Sequence, residues 1–204
     1  MISVRIESLD TGNVTLCQSA WKCYQSGYAG EPWNEHKKCS GCENSFGSSI
    51  GEAETCPQCG SHLELFWPLE TIASDVLGSL DLPYAYCAVA VAGDEVVGML
   101  LGYALAVPEL ESHLGLPVHG LVGDALVAYN DEVVVRPDWQ GKGIGRELYA
   151  GWMEHIQVSG LRQVAARTQS DPPTVVYGWY QRQGYEVIAS YPNPDMRVVL
   201  GRSV

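Results

Sequence analysis

Residues 133–148 read VVVRPDWQGKGIGREL, a β-branched run followed by three closely spaced glycines. Its β-branched start is typical of a strand, which Arg136-Pro137 ends. Apolar residues every four positions from Ile144 to Ile156 then predict an amphipathic helix over residues 141–158. The sequence therefore predicts a strand that passes through a tight glycine turn directly into a helix.

The glycine turn has the features of an anion-binding site. A helix exposes unpaired N–H groups at its first turn, and glycines let a ligand reach the backbone. Neither the phosphate loop G-x-x-x-x-G-K-[ST] nor the dinucleotide pattern G-x-G-x-x-G is present. An ordinary strand-turn-helix junction that binds nothing is the alternative. Three basic residues surround the turn, namely Arg136, Lys142 and Arg146.

Two motifs resemble those of the GNAT N-acetyltransferase superfamily. The sequence QGKGIG at residues 140–145 is similar to the family signature Q/R-x-x-G-x-G/A, and Val135-Arg136-Pro137 supplies the V-x-P that usually precedes it. The sequence YQRQGY at residues 180–185 resembles the family's downstream Y-x-x-x-G-F. One departure is Pro173, where the family often has Asn. Asp171 and the two prolines after it resemble a helix N-terminus instead.

The resemblance implies the fold class and the acyl donor. It implies an α/β (α+β) fold with a mixed, mostly antiparallel twisted sheet of six or seven strands, flanked by about four helices. It also implies acetyl-coenzyme A as cosubstrate, with the pantetheine arm beside the backbone of Val133 and Val135. The turn would hold the diphosphate, and its binding residues are Gln140, Gly141, Lys142, Gly143, Ile144, Gly145 and Arg146.

Acetyl transfer to an amine requires a neutral nitrogen. An alkylammonium with a pKa of about 10.4 must first lose its proton, so a base is needed near the thioester. Asp131 and Glu132 precede the valine run and would face opposite sides of a strand, so only one of them lines the cleft unless the strand has a bulge. Glu132 is the predicted general base, since many family members carry an acid there. Asp131 as the base, or two solvated strand-end charges, are the alternatives.

The resemblance also implies a proton donor. Tyr180 matches the family tyrosine that protonates the departing coenzyme A thiolate. A core tyrosine is the alternative, because Tyr177 lies three residues earlier on the same helical face. His113 and His119 are further candidate bases in a predicted surface loop over Pro108–Gly123, although an isolated loop histidine is usually solvated.

Two C-x-x-C pairs, thirteen residues apart, predict a metal site. The two thiolates of each pair can bind the same metal ion, and together the four thiolates complete a tetrahedral coordination shell. Because no coordination position is left for water or substrate, the expected zinc is structural. Iron in the same ligand set, two disulfides or a redox pair are the alternatives. The metal stabilises a small segment that cannot build its own core. The predicted ligands, within a zinc-ribbon insertion at residues 36–62, are Cys39, Cys42, Cys56 and Cys59.

Composition and charge limit the partners. Of 204 residues, 46% are hydrophobic and 18% charged, and 12 basic against 24 acidic residues give a net charge of −12. One globular domain over residues 1–204 is expected. The charge disfavours nucleic acid and anionic membranes and favours a cationic ligand. The aromatic, acidic stretch Tyr28–Glu35 suits such a ligand. The N-terminus has no basic segment followed by an apolar run, so a cytoplasmic protein is predicted.

Further elements follow from periodicity and turn signals. Alternating or apolar runs predict strands, and a spacing of three and four predicts helices. The predicted strands are Ile2–Ile6, Tyr84–Ala92, Val96–Val107, Leu126–Arg136, Gln163–Thr168, Tyr185–Ser190 and Met196–Leu200. The predicted helices besides that at 141–158 are Asn13–Tyr28, Leu69–Leu80 and Thr174–Gln183.

These observations lead to the hypothesis of an acetyl-coenzyme A-dependent N-acetyltransferase that acts on a small-molecule or peptide amine. The sequence does not identify the acceptor, and it leaves a homodimer open. A non-enzymatic acyl-coenzyme A sensor, whose zinc ribbon contacts a protein partner, is the alternative. A zinc protein that binds nucleic acid is a third hypothesis, which the negative charge disfavours.

Overall fold

The computed structural model describes residues 3–123, 125–170, 174–192 and 196–204. Its helices are α1 (Val14–Tyr28), α2 (Leu69–Ser79), α3 (Val107–Leu114), α4 (Ile144–Val158) and α5 (Val175–Arg182). Its strands are β1 (Val4–Ser8), β2 (Lys37–Cys39), β3 (Ser45–Phe46), β4 (Leu63–Leu65), β5 (Tyr86–Ala92), β6 (Glu95–Ala106), β7 (Leu126–Val135), β8 (Gln163–Gln169), β9 (Glu186–Ser190) and β10 (Arg197–Ser203).

Seven strands form the main sheet in the order β1-β5-β6-β7-β8-β10-β9. Strand β1 pairs antiparallel with β5, and β10 pairs antiparallel with both β8 and β9, whereas β7 and β8 are parallel. The predicted mixed, mostly antiparallel sheet is confirmed. The described chain has five helices rather than about four.

The described chain divides into two compact units. The first comprises residues up to Gly78, Ala88–Met99 and Val133–Leu148. The second comprises Ser79–Cys87, Leu100–Glu132 and Tyr149–Val204. One domain over residues 1–204 stays a prediction.

In the first unit, helix α1 begins at a side-chain cap. The Asn13 carbonyl oxygen Oδ1 accepts a hydrogen bond from the Leu16 N–H at 3.1 Å, which satisfies one of the free donors of the first turn. Farther along the helix, Gly27 lies against Val134 of β7, and a Cβ at Gly27 would overlap the Val134 side chain. The glycine therefore lets α1 approach β7 closely, and the predicted helix over 13–28 is confirmed.

The cysteine-rich segment folds around a second, three-stranded sheet of order β3-β2-β4. Its small core consists of Cys39, Cys56 and Leu63, all buried. Lys37 is only 8% exposed, and its Nζ donates to the Ala53 carbonyl at 2.8 Å. A core of this size supplies little of the stability that an ordered segment needs.

Helix α3 corrects the prediction of a surface loop over Pro108–Gly123. Pro108 lies in the first turn, where a missing N–H costs nothing, and the Glu109 carboxylate accepts the Ala106 N–H at 3.0 Å. Gly115 ends the helix in the left-handed region at a φ of 73°. The residues that suggested a loop are therefore the start and stop signals of a short helix, whose Leu110 and Leu114 are buried.

In the second unit, Thr174 caps the N-terminus of α5, and its Oγ1 accepts the Tyr177 N–H at 3.0 Å. The predicted cap at Asp171, with Pro172 and Pro173, lies outside the described residues, as does Ile2 of the first predicted strand. Close to α5, the hydroxyls of Tyr149 and Tyr185 hydrogen-bond at 2.7 Å. The remaining predicted helices and strands are confirmed to within three residues at their ends.

Candidate functional site

The strand, turn and helix of residues 133–158 form as the sequence predicts. Strand β7 ends at Val135, residues 137–139 make a single 3₁₀ turn, and α4 starts at Ile144. Gly141 and Gly143 have φ angles of 76° and 86°, a region that only glycine enters without strain. Apart from each glycine and its two chain neighbours, no described atom lies within 4 Å of where a Cβ would stand, so both positions face open space.

Backbone and side-chain contacts fix the turn from within the first unit. The Arg136 N–H donates to the Val97 carbonyl at 3.0 Å, and the Gln140 side chain donates to the Val135 carbonyl at 3.1 Å. The Arg146 N–H donates to the Gly143 carbonyl at 3.0 Å. That amide is therefore engaged inside the helix, while the Arg146 side chain is exposed.

The three basic residues around the turn differ in their contacts. Arg136 pairs with Glu95 at 2.8 Å and with Asp138 at 3.2 Å. Burial alone would lower the pKa of Arg136, but the hydrogen bonds to these carboxylates raise it. The Lys142 ammonium lies 4.3 Å from the centre of the Trp139 ring and donates to the Asp138 carbonyl at 2.9 Å. Two carboxylates therefore compensate the charge of Arg136, whereas the side chains of Lys142 and Arg146 are exposed.

In the second unit, Tyr180 is placed at β7 by a contact that the sequence did not reveal. Its hydroxyl donates to Asn130 Oδ1 at 2.9 Å, and both residues are 2% exposed. Burial raises the pKa of Tyr180 well above its usual range, so the phenol stays protonated. The Asn130 Nδ2 atom is buried and has no hydrogen-bond partner among the described residues. A polar residue that follows the apolar run Leu126–Tyr129 was the available signal for Asn130.

Asp131 and Glu132, the two candidate bases, have different surroundings. Asp131 accepts a hydrogen bond from the Tyr103 hydroxyl at 2.9 Å, and its side chain is 15% exposed. His113 Nε2 lies 3.7 Å from the other Asp131 oxygen. Glu132 is half-buried, as are Val133 and Val135 on the same strand.

The four predicted metal ligands lie together. The sulfur atoms of Cys39, Cys42, Cys56 and Cys59 are all within 4.8 Å of one another. The closest pairs are Cys39–Cys59 at 3.4 Å and Cys42–Cys56 at 3.8 Å. A tetrahedron with Zn–S bonds of about 2.3 Å has S···S edges of about 3.8 Å, so the cluster fits a tetrathiolate ion.

Hydrogen bonds favour a thiolate at some of these sulfur atoms and not at others. A backbone hydrogen bond at Asn44 lowers the pKa of Cys42, but burial and the neighbouring cysteines raise it to about 11. The N–H groups of Gly41 and Cys42 donate to Cys39 Sγ at 3.3 and 3.4 Å, and the Gln58 N–H donates to Cys56 Sγ at 3.4 Å. Hydrogen bonds from Ser61 lower the pKa of Cys59 to about 6. The donor set is therefore that of a metal-binding knuckle pair. The remaining cysteines are buried, as expected, and are Cys17, Cys23 and Cys87.

Trp67, which follows the ribbon in the chain, contacts α1 and the residue before the ribbon. The Trp67 indole N–H donates to Glu35 at 2.8 Å, and the Gln25 side chain donates to the Trp67 carbonyl at 2.7 Å. The Trp67 ring also lies edge-on to Tyr24, with 5.5 Å between centroids. These contacts hold Trp67 against α1 and join it to Glu35, the last residue of the predicted aromatic and acidic stretch.

A mixed seven-stranded sheet with a glycine turn between β7 and α4 defines an acetyltransferase fold. The family model described as "Acetyltransferase (GNAT) domain" matches residues 83–187, which are 105 of the 204 residues. The chain belongs to the GNAT acetyltransferase family. The resemblance read from residues 140–145 and 180–185 is thereby confirmed.

Solved structures share this fold at low identity. PaiA N-acetyltransferase from Thermoplasma acidophilum, in complex with coenzyme A, is 15% identical at a TM-score of 0.59 and covers 100% of both chains. The ribosomal-protein-S18-alanine N-acetyltransferase from Escherichia coli is 13% identical at a TM-score of 0.58, over 99% of this chain and 94% of that one. Aminoglycoside 6′-acetyltransferase type Ii is 16% identical at a TM-score of 0.56, over 98% of this chain and 96% of that one.

A comparison with curated proteins finds no match. Among the described residues, no helix has the length and apolar character needed to cross a membrane.

Proposed function

We propose that this protein transfers the acetyl group of acetyl-coenzyme A to a primary amine of a cationic small molecule or peptide. The open glycine turn after β7 is the observation that carries the proposal. Gly141 and Gly143 leave backbone N–H groups within reach of a ligand, at the start of a helix whose dipole favours an anion. Membership of the GNAT family supports the coenzyme diphosphate as that anion, as does the PaiA structure in complex with coenzyme A.

The turn and β7 would bind different parts of the coenzyme. The backbone N–H groups of Gly141–Gly145 would bind the diphosphate, with the exposed side chains of Lys142 and Arg146 beside them. The pantetheine arm would lie along Val133 and Val135. Arg136 would stabilise the turn rather than bind the diphosphate, because Glu95 and Asp138 compensate its charge.

Glu132 would take a proton from the amine as the nitrogen attacks the thioester carbonyl carbon. Tyr180 would then give its proton to the coenzyme A sulfur as the C–S bond breaks. A half-turn of the Asn130 amide would bring Nδ2 onto the Tyr180 oxygen and release the phenol proton toward the sulfur. The unpartnered state of Nδ2 among the described residues supports this role of Asn130.

The cysteine cluster would hold a structural zinc ion. Cys39, Cys42, Cys56 and Cys59 would be its ligands, and zinc would act only as a cross-link that orders residues 36–62. Thiolate ligation rather than disulfide formation suits the cytoplasm. Trp67 contacts both α1 and the Glu35 carboxylate, and this pairing of an aromatic ring with an acidic side chain supports a cationic acceptor.

An acceptor screen tests the proposal. The zinc-replete protein is mixed with acetyl-coenzyme A and polyamines, aminoglycosides, lysine peptides or peptides with a free α-amine, and thiol release is measured with mass spectrometry of the product. Release with an acetylated amine is expected, and Glu132→Gln should slow it without weakening coenzyme binding. Tight coenzyme binding without release from any amine would instead establish the sensor alternative.

A further inference from the structure

Strand β1 forms one edge of the main sheet. It stands first in the strand order, and among the described strands it pairs with β5 alone. In an antiparallel pair, alternate residues turn both their N–H and C=O groups away from the neighbouring strand. The outer edge of β1 therefore offers hydrogen-bonding groups to a further strand. The side chains of Arg5 and Glu7 are 56% and 37% exposed, so they remain accessible to such a strand.

The charges of β1 are arranged symmetrically around its central residue. Arg5 and Glu7 lie on either side of Ile6 and share one face of the strand. A second copy that runs antiparallel and is centred on Ile6 places Arg5 opposite the partner's Glu7, and Glu7 opposite the partner's Arg5. A parallel copy in register would instead place like charges opposite each other. Opposite charges across a strand pair are stabilising and like charges are destabilising, so the charge order of β1 favours the antiparallel copy.

The contacts of Arg5 within one chain are compatible with this pairing. Its Nε donates to the Glu7 carboxylate at 2.9 Å, and its Nη1 donates to the Gly93 carbonyl at 3.1 Å. A guanidinium has five N–H donors, so the remaining ones can reach a second carboxylate. The paired strands would thus carry two arginines and two glutamates of alternating sign. Because exposed ion pairs contribute little energy, these four charges would set the register more than the affinity.

The strand edge alone is too small for a stable interface. Five residues span about 17 Å, whereas a specific interface buries more than about 1,000 Å². Helix α1 follows β1 in the chain and runs from this edge toward the middle of the sheet. Its Ser19 Oγ accepts the Val96 N–H of β6 at 2.8 Å, and Gly27 lies against β7. The first half of α1 therefore lies nearest to the β1 edge.

An apolar groove follows that half of α1. It lies between α1 and α2 and has a volume of about 550 Å³. Its apolar lining residues are Val14, Cys17, Trp21, Leu69 and Leu77. Val14 is 65% exposed and Leu77 is 43% exposed. A two-fold axis that relates two β1 strands keeps the α1 helices of both copies on the same face of the sheet, so these side chains can extend the interface.

We propose that two copies of this chain pair through β1, antiparallel and centred on Ile6, so that their main sheets join into one continuous sheet. The partner is a second copy rather than an unrelated strand, because Arg5 and Glu7 are complementary to their own order in reverse. The groove between α1 and α2 adds apolar contacts beside the paired strands. The inference is independent of acetyl transfer, because no residue of the proposed catalytic site lies on β1.

Sedimentation equilibrium at low salt tests the pairing with two charge reversals, Arg5→Glu and Glu7→Arg. The parent protein should sediment at twice the chain mass of 22.2 kDa. Each variant alone places like charges opposite each other, so the Kd of its dimer should rise at least about tenfold. The two substitutions change the net charge in opposite directions, so general repulsion between copies cannot explain a loss in both.

An equal mixture of the two variants tests the register itself. Every acidic side chain at these two positions of one variant then faces a basic side chain of the other. The mixture should therefore form a dimer that contains one chain of each variant, with a Kd near that of the parent protein. Native mass spectrometry distinguishes this mixed dimer when one variant carries an isotope label.

Arg162→Glu is the matched control, because it reverses the charge of an exposed arginine outside β1. It should leave the dimer unchanged. A monomeric parent protein would overturn the proposal and leave the edge of β1 to another chain. Single variants that dimerise as tightly as the control, or a mixture that forms no mixed dimer, would also overturn it. Circular dichroism of each variant separates misfolding from loss of pairing.

Discussion

Replacing Tyr180 with Phe removes one hydroxyl and leaves the ring in place. Its stability cost follows from the contact with Asn130, because the buried Oδ1 atom loses its donor while Nδ2 is already without a partner among the described residues. An unsatisfied buried polar atom costs about 1–3 kcal/mol. A domain with roughly 5–15 kcal/mol of stability stays folded after that loss.

The kinetic cost should be larger than the stability cost can explain. Loss of a general acid lowers kcat by roughly 10²–10⁴-fold, or about 2.7–5.4 kcal/mol in the barrier. The assay compares thiol release under saturating substrates with urea denaturation of the same preparation. Coenzyme affinity should stay near that of the parent protein, because the hydroxyl acts only when the sulfur leaves.

Tyr185→Phe is the matched control for this experiment. It removes another buried hydroxyl, which pairs with Tyr149 at 2.7 Å, and should lower stability by a similar amount. It should leave kcat within a few-fold of the parent value. Equal kcat values for the two variants would refute the assignment of Tyr180 as proton donor.

Two further predictions concern the metal and alkaline pH. Elemental analysis of the purified protein should find one zinc ion per chain. Cys39→Ser should abolish zinc binding and make residues 36–62 sensitive to protease, whereas the control Cys17→Ala should keep the zinc. A zinc-free protein whose residues 36–62 resist protease would contradict the structural role of the metal. Burial raises the pKa of four tyrosines above the unfolded value of about 10, so their contribution to stability is complete below pH 10 and is lost as the pH rises above it. Urea denaturation between about pH 9 and pH 12 should show stability falling above pH 10, and a flat profile over that range would refute this. These tyrosines are Tyr103, Tyr129, Tyr180 and Tyr185.

Much of the fold could be predicted because local chemistry agrees with the final structure. The glycine turn at 141–145 and the cysteine pairs have spacings that suit few alternatives. Helix α3 was missed for the opposite reason. Its Pro108 and Gly115 were interpreted as loop residues, although proline inside the first turn and glycine after the last are also helix boundary signals.

The site could be predicted only where one segment of sequence contains it. Tyr180 was found from its motif, but its partner Asn130 is fifty residues away in the chain. The contact of Asp131 with Tyr103 likewise depends on the packing of β6 and β7, which periodicity does not specify. Sequence patterns therefore do not predict which side chains of different elements contact one another.

The claim that the turn after β7 binds the coenzyme is tested most directly by titration calorimetry. Acetyl-coenzyme A is titrated into the parent protein, into Gly143→Ala and into Gly160→Ala, a substitution at another glycine of positive φ with equal free space. The account predicts binding to the parent protein, a Kd raised at least about tenfold by Gly143→Ala, and no change in Gly160→Ala. Absence of binding to the parent protein, or the same Kd in all three, would contradict it.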